Sequence, residues 1–198
     1  MPPDRPTIRL VALDLMDTLV ADPYREALVA TTGMTLEALE PLRNEEAWHD
    51  FELGRIDERT YAQRFLPASA GGFDIERYKR ELHRRYAWIP GMERLAIRIA
   101  TRVPIHLLSN YSCWYEELRA RFLLDRFASG HHPSYLLRAR KPSPAFFRQA
   151  LLRIGIEAST VLFVDDRSVN VDAARDAGMR AVLFEGAEAL EETLRRLV

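Results

Sequence analysis

The chain has 198 residues, 47% of them hydrophobic and 29% charged, which suits a globular protein of one core, or one core with an insertion. A formal net charge of -1 excludes a global basic field for nucleic acid or an anionic membrane, and the single cysteine, Cys113, excludes a disulfide framework or a multi-cysteine zinc site. No segment has the length and apolarity of a membrane span, so the expectation is a cytoplasmic protein whose partner is a small molecule.

The first predicted strand covers residues 8–13 and delivers Asp14. No strand signal follows between about 22 and 86, where helix signals take over. Thr35 can cap a helix through 42, residues 45–53 are periodic up to Gly54, Asp57 can cap a helix through 65, and Asp74 one to about 86. The sequence then alternates. A helix over 93–100 precedes a strand over 104–108 that delivers Ser109 and Asn110. A helix over 114–122 precedes a weak strand near 127–129. Lys141 lies in a proline-marked turn before a helix over 144–154 that Gly155 stops. A strand over 161–164 delivers Asp165 and Asp166, Ser168 precedes a helix over 169–177, and a last strand covers 180–184.

Nearly continuous apolar strands alternating with helices predict a doubly wound, Rossmann-like α/β core with a parallel sheet. The expected core is 1–20 with 88–198. The all-helical stretch, 21–87, is expected to be a cap over the carboxyl edge of the sheet, where such folds bind ligands.

In a parallel sheet the polar residues that follow the strands share one edge. Asp14, Asp165 and Asp166 together need a counter-charge, and Mg²⁺ with its preference for oxygen ligands fits. Ser109, the amide of Asn110 and Lys141 are complementary donors for a bound oxyanion. Lys141→Ala is expected to weaken phosphate binding and leave folding nearly intact.

These motifs resemble the haloacid dehalogenase superfamily, whose members are mostly phosphohydrolases: LVALDLMDTL, HLLSN, the lysine of RKPSPAFFRQAL, and VLFVDDRSVNVDAARDAGM match its four motifs in order. The resemblance implies that Asp14 is a nucleophile forming an aspartyl-phosphate. It implies Mg²⁺ held by Asp14, Asp166 and the main-chain carbonyl of Met16, with Asp165 and Asn170 supporting the metal's surroundings. It also implies a phosphate held by Ser109, Asn110 and Lys141. Phosphatases of the superfamily carry a second aspartate where this chain has Met16, acting as general acid and base. Losing such a group typically costs about 10²- to 10⁴-fold in rate. Asp17 follows, and strand alternation would turn it to the opposite face. The segments DLMDTLVADP, WHDFELGRIDE and RKPSPAFFRQALLRIGIE look like the plant-type flavin mononucleotide hydrolases, whose pattern shares this methionine.

Flavin mononucleotide is therefore a candidate substrate. Two other readings stand beside this one: a phosphate-binding or interaction module that has lost turnover, and a metal-free 2-haloacid dehalogenase, against which the paired Asp165 and Asp166 argue. Trp48, Phe51, Trp114 and Tyr115 are expected to pack in the core or lid, and Cys113 to be a small core residue. His131 and His132 should diverge, and of Arg138, Arg140 and Lys141 only the lysine is assigned to the site.

Overall fold

A computed structural model describes residues 7–197, so the first six residues of the expected 1–20 segment lie outside the described part. Five parallel strands, β1 (Leu10–Leu13), β2 (Ile105–Ser109), β3 (Ala128–Pro133), β4 (Val161–Asp165) and β5 (Arg180–Leu183), form one sheet in the order β3-β2-β1-β4-β5. β1 shows why the strands are apolar throughout. Val11 and Leu13 join one hydrophobic cluster, while Leu10 and Ala12 join the other across the sheet.

Between β1 and β2 come helices α1 (Tyr24–Thr32), α2 (Leu36–Leu39), α3 (Glu45–Glu52), α4 (Glu58–Phe65) and α5 (Ile75–Arg85), then α6 (Met92–Ala100). Thr35, Asn44, Asp57 and Asp74 cap α2 to α5, each side chain accepting a main-chain N–H of the first turn. The chain enters and leaves the insertion through a short antiparallel ribbon. Ala21 donates to Ala87 O and Ile89 to Leu19 O, both at 2.9 Å, and Val20 bridges Trp88.

After β2 follow α7 (Tyr115–Arg121), α8 (Ser134–Leu137), α9 (Pro144–Ile154), α10 (Ser168–Asp176) and α11 (Ala187–Leu197). Some boundaries differ from the sequence reading. The helix expected through 42 is the single turn α2. β3 is six residues long rather than a trace, and α10 begins at Ser168 with Arg167 in the cap position. Helices α1, α8 and α11 are additional.

Aromatic packing joins the insertion to the core. Phe51 stacks on Tyr61 with centroids 4.9 Å apart and meets Trp114 edge-on at 5.0 Å. Phe51, Trp114 and Tyr115 are buried, as the packing reading expects. Cys113 is not: it lies exposed in the loop before α7, with its thiol pushed up by partial burial and the Glu58 carboxylate. His131 and His132 diverge along β3. The first meets Tyr115 Oη at 2.7 Å and Asp125 at 2.8 Å, the second His106 at 2.9 Å.

Candidate active site

The neighbouring strands β2, β1 and β4 end at one edge of the sheet, which sets Ser109, Asp14, Asp165 and Asp166 side by side. Carboxylate oxygens of Asp14, Asp165 and Asp166 lie within 4.8 Å of one another. Lys141, from the loop before α9, is inserted among them and is only 1% exposed. Its Nζ is 2.8 Å from Asp14 Oδ1, 2.6 Å from Asp165 Oδ2 and 2.8 Å from Leu108 O. An ammonium has three hydrogens, and all three are used. Lys141 is therefore a buried counter-charge to Asp14 and Asp165. The expectation that its removal leaves folding nearly intact is replaced by the opposite one.

The two oxygens of Asp14 differ. Oδ1 also accepts the Leu15 N–H at 2.7 Å, whereas Oδ2 has no hydrogen-bond partner among the described residues. Burial pushes the Asp14 carboxyl well above its usual range, against the pull of Lys141. Burial also raises Asp165, but Lys141, the Arg167 N–H and Asn170 Nδ2 outweigh it and hold the group below the usual range. Asp166 is raised by burial and by Asp165. Lys141, which burial alone would push down, is held up by Asp14 and Asp165.

Ser109 Oγ and Asn170 Oδ1 are buried without a hydrogen-bond partner, so each has capacity for a ligand or a ligand-bound water. The Asn110 side chain has a use of its own. Its Nδ2 donates to Lys141 O at 2.9 Å and its Oδ1 accepts the Lys141 N–H at 2.7 Å, so its side chain places Lys141 instead of facing an anion.

Above this edge is a cleft of about 290 Å³ shared by core and insertion, with Tyr24, Arg43, Trp48, His49, Glu52 and Tyr78 on the insertion side. Trp48 thus serves both the aromatic packing and the cleft wall. Arg140 belongs to the cleft as well, which corrects its exclusion: its Nε meets the buried Glu52 carboxylate at 2.7 Å. Arg138 instead holds the Leu53 carbonyl at 3.2 Å, outside the cleft lining. Asp17 is corrected too. β1 has ended by Leu13, Asp17 has a φ of 53°, and alternation no longer applies; its side chain lines the cleft and accepts the Asp22 N–H at 2.9 Å. Asp22 is a cleft residue the sequence did not mark, since an acid before proline reads as an ordinary turn.

A parallel sheet thus presents an aspartate after its central strand, a serine and a buried lysine on neighbouring elements and an acidic pair after the next strand, all at the edge where such folds bind ligands. Residues 8–178 match the haloacid dehalogenase-like hydrolases, and the chain belongs to that family. It is 32% identical to the chloroplast flavin mononucleotide hydrolase 1 of Arabidopsis thaliana over 95% of this chain and 77% of that protein. It is 27% identical to a sesquiterpene phosphatase of Aspergillus oryzae over 86% of this chain and 88% of that one. A haloacid dehalogenase family enzyme from Bacteroides thetaiotaomicron shares the fold with a TM-score of 0.83 at 15% identity, covering 96% of this chain and 99% of that one. The same enzyme in complex with magnesium and inorganic phosphate gives 0.75, covering 90% and 95%. No helix among the described residues is long and apolar enough to cross a membrane.

Proposed function

We propose that this hydrolase is a Mg²⁺-dependent phosphatase of small phosphorylated metabolites, acting through an aspartyl-phosphate on Asp14. The observation that carries the reading is the asymmetry of Asp14, with Oδ1 pinned by Lys141 and Leu15 and Oδ2 left for attack on phosphorus. The donor set fits the metal. Three carboxylates and one lysine leave two negative charges, every available donor is oxygen, and the orphaned Asn170 Oδ1 can accept from a metal-bound water. Asp14, Asp166 and the Met16 carbonyl would hold Mg²⁺, with Asp165 and Asn170 beside them. When bound, the ion neutralises charge on the phosphoryl oxygens.

The chain's own residues divide the remaining work. Ser109 offers its unpaired hydroxyl to the phosphate, Lys141 supplies positive charge from behind, and Asn110 keeps Lys141 in place. The insertion acts as the cap that shields the phosphate from water. Flavin mononucleotide is the candidate substrate named by the Arabidopsis relative, and Trp48 on the cleft wall offers an aromatic face to such a ring. The cleft is at the low end of small-molecule sites, so a flavin requires the insertion to swing outward. A single cysteine suits a reducing compartment, and the cytoplasm is our reading.

The test is hydrolysis of flavin mononucleotide, acyl phosphates and other phosphorylated metabolites, with Mg²⁺ and with the ion chelated. Mg²⁺-dependent release of phosphate that Asp14→Asn abolishes is expected. A parent protein that binds phosphate yet releases none from any ester would leave the interaction-module reading in its place.

A further inference from the structure

The proposed reaction leaves one proton without a carrier, because the leaving oxygen must gain a proton and the attacking water must lose one, and the Met16 thioether can do neither. Starting from the reading of Asp14 as nucleophile, the carrier must be a titratable side chain in the cleft that is not already committed. Most candidates fail on contacts. Glu52 is tied to Arg140, Lys141 has spent its hydrogens, and Tyr24, Tyr78 and Tyr111 have hydroxyls pushed up by burial. Asp17 adjoins Met16, whose carbonyl is a proposed metal ligand, and its carboxylate holds the turn by accepting the Asp22 N–H. Glu45 and His49 lie on α3 of the insertion, whereas Asp22 belongs to the nucleophile's own loop.

That loop folds back on itself. Val20 N–H donates to Leu15 O at 2.9 Å, Asp17 N–H to Val20 O at 2.7 Å, and Asp22 N–H to the Asp17 carboxylate at 2.9 Å. Residue 22 thereby returns to the cleft wall formed by Met16 and Asp17. The Asp22 carboxyl is fixed at one end only: Oδ1 accepts the Tyr24 N–H at 3.0 Å, and Oδ2 has no hydrogen-bond partner among the described residues. We infer that Asp22 gives the proton to the leaving oxygen and then takes one from the attacking water, in place of a carboxyl at position 16.

The electrostatics agree with the geometry. Asp22 is exposed on the cleft wall, and desolvation by the surrounding chain, opposed by the Tyr24 N–H and helped by Asp17, Glu26 and Asp166, pushes its carboxyl up to about 6. A carboxyl near that value exchanges protons readily around neutral pH. In the first step Asp14 Oδ2 bonds to phosphorus and the phosphorus–oxygen bond to the leaving group breaks. Its electron pair stays on the leaving oxygen, which takes the Asp22 proton and departs as an alcohol. In the second step a water oxygen bonds to phosphorus while the Asp22 carboxylate takes one of its protons. The bond to Asp14 breaks, its electron pair returns to the Asp14 carboxylate, and hydrogen phosphate leaves with Asp22 protonated again.

The test compares the parent with Asp22→Asn, Asp22→Glu, His49→Asn and Asp14→Asn, all with Mg²⁺, on an aryl and an alkyl phosphate through the first and later turnovers. Asparagine keeps the acceptor for the Tyr24 N–H, so the loop is retained. Asp22→Asn is expected to lose about 10²-fold or more on the alkyl ester. On the aryl ester it should still release one aryl alcohol per site in a burst and then turn over slowly, because water attack lacks its base. Asp22→Glu should recover part of the loss, and Asp14→Asn should show no burst. A parent with neither turnover nor burst brings down the nucleophile reading and this one with it. A parent that turns over while Asp22→Asn keeps the parent's alkyl rate overturns Asp22 alone, as does a loss of that size found in His49→Asn instead.

Discussion

Lys141→Met is the substitution whose consequence follows most directly from the contacts. Methionine nearly matches the lysine in volume and can still pack over Phe163, whose ring centroid lies 5.3 Å from Nζ, but it removes the only cation touching Asp14 and Asp165 among the described residues. Asp165 is fully buried and Asp14 almost so. Removing one partner of a buried ion pair costs about 3–5 kcal/mol, because the other charge stays buried and unpaired. For a chain of this size each kcal/mol moves the melting temperature by roughly 2–4 °C, so a fall of roughly 6–20 °C is expected.

The assay is thermal unfolding followed by circular dichroism near neutral pH with divalent ions chelated. Its pH dependence adds a second check. Asp165 is held below its ordinary value of 3.8, so its stabilising share is present above that value and lost as pH falls through the lower folded-state value. Without Lys141 that depression disappears, and the gap between variant and parent should narrow in acid. The double variant Lys141→Met/Asp165→Asn should recover part of the loss, since it leaves one fewer unpaired charge. A Lys141→Met protein melting within about 2 °C of the parent would refute the buried-hub assignment, being less than one kcal/mol on this scale.

Ser109→Ala should weaken inhibition by inorganic phosphate about tenfold, the value of one hydrogen bond to a charged ligand, with the melting temperature unchanged because the hydroxyl has no protein partner to lose. Equal inhibition in variant and parent would remove Ser109 from the phosphate site. His132, pushed down to about 4 by burial and by His106, stays neutral in the folded protein while an unfolded histidine gains its proton near 6.5. Stability should therefore decline as pH falls from 6.5 to 4, by at most about 3 kcal/mol, and His132→Leu should flatten the decline in urea unfolding series across that window.

The strand ends were legible because a parallel sheet covered on both faces demands nearly unbroken apolar strands, which makes the first polar residue after each one conspicuous. Asp14, Ser109 and Asp165 stand out for that reason. β3 was faint because an edge strand reading ASGHHP has no β-branched residue, and its Gly130 answers to packing: a Cβ there would lie 2.6 Å from the His106 ring. The helix α11 has a readable signal in its Glu191–Arg195 and Glu192–Arg196 pairs at i,i+4. What sequence could not show was which hydrogen goes to which acceptor. That Lys141 spends all its donors inside the protein, that Asn110 turns to the Lys141 backbone, and that Asp17 swings into the cleft depend on local turns with no periodic signature.

The methionine at position 16 becomes intelligible from the same accounting of charge. At the nucleophile's end the cleft already gathers Asp14, Asp17, Asp22 and Asp166, with Asp165 buried behind them against Lys141. Another carboxylate at 16 would raise the pKa values of its neighbours and would lie half-buried against the main hydrophobic cluster, where Met16 now packs. With Asp22 as the proton carrier, that task falls to an exposed carboxyl that is open to the cleft and anchored by one main-chain N–H. The position has a mechanical consequence. Asp22 stands one residue beyond the ribbon in which Ala21 pairs with Ala87, where the chain leaves the sheet for the helical insertion. Its N–H is held at 2.9 Å by the Asp17 carboxylate, so Asp22 stays with the loop that follows β1 and with Asp14 at the sheet edge.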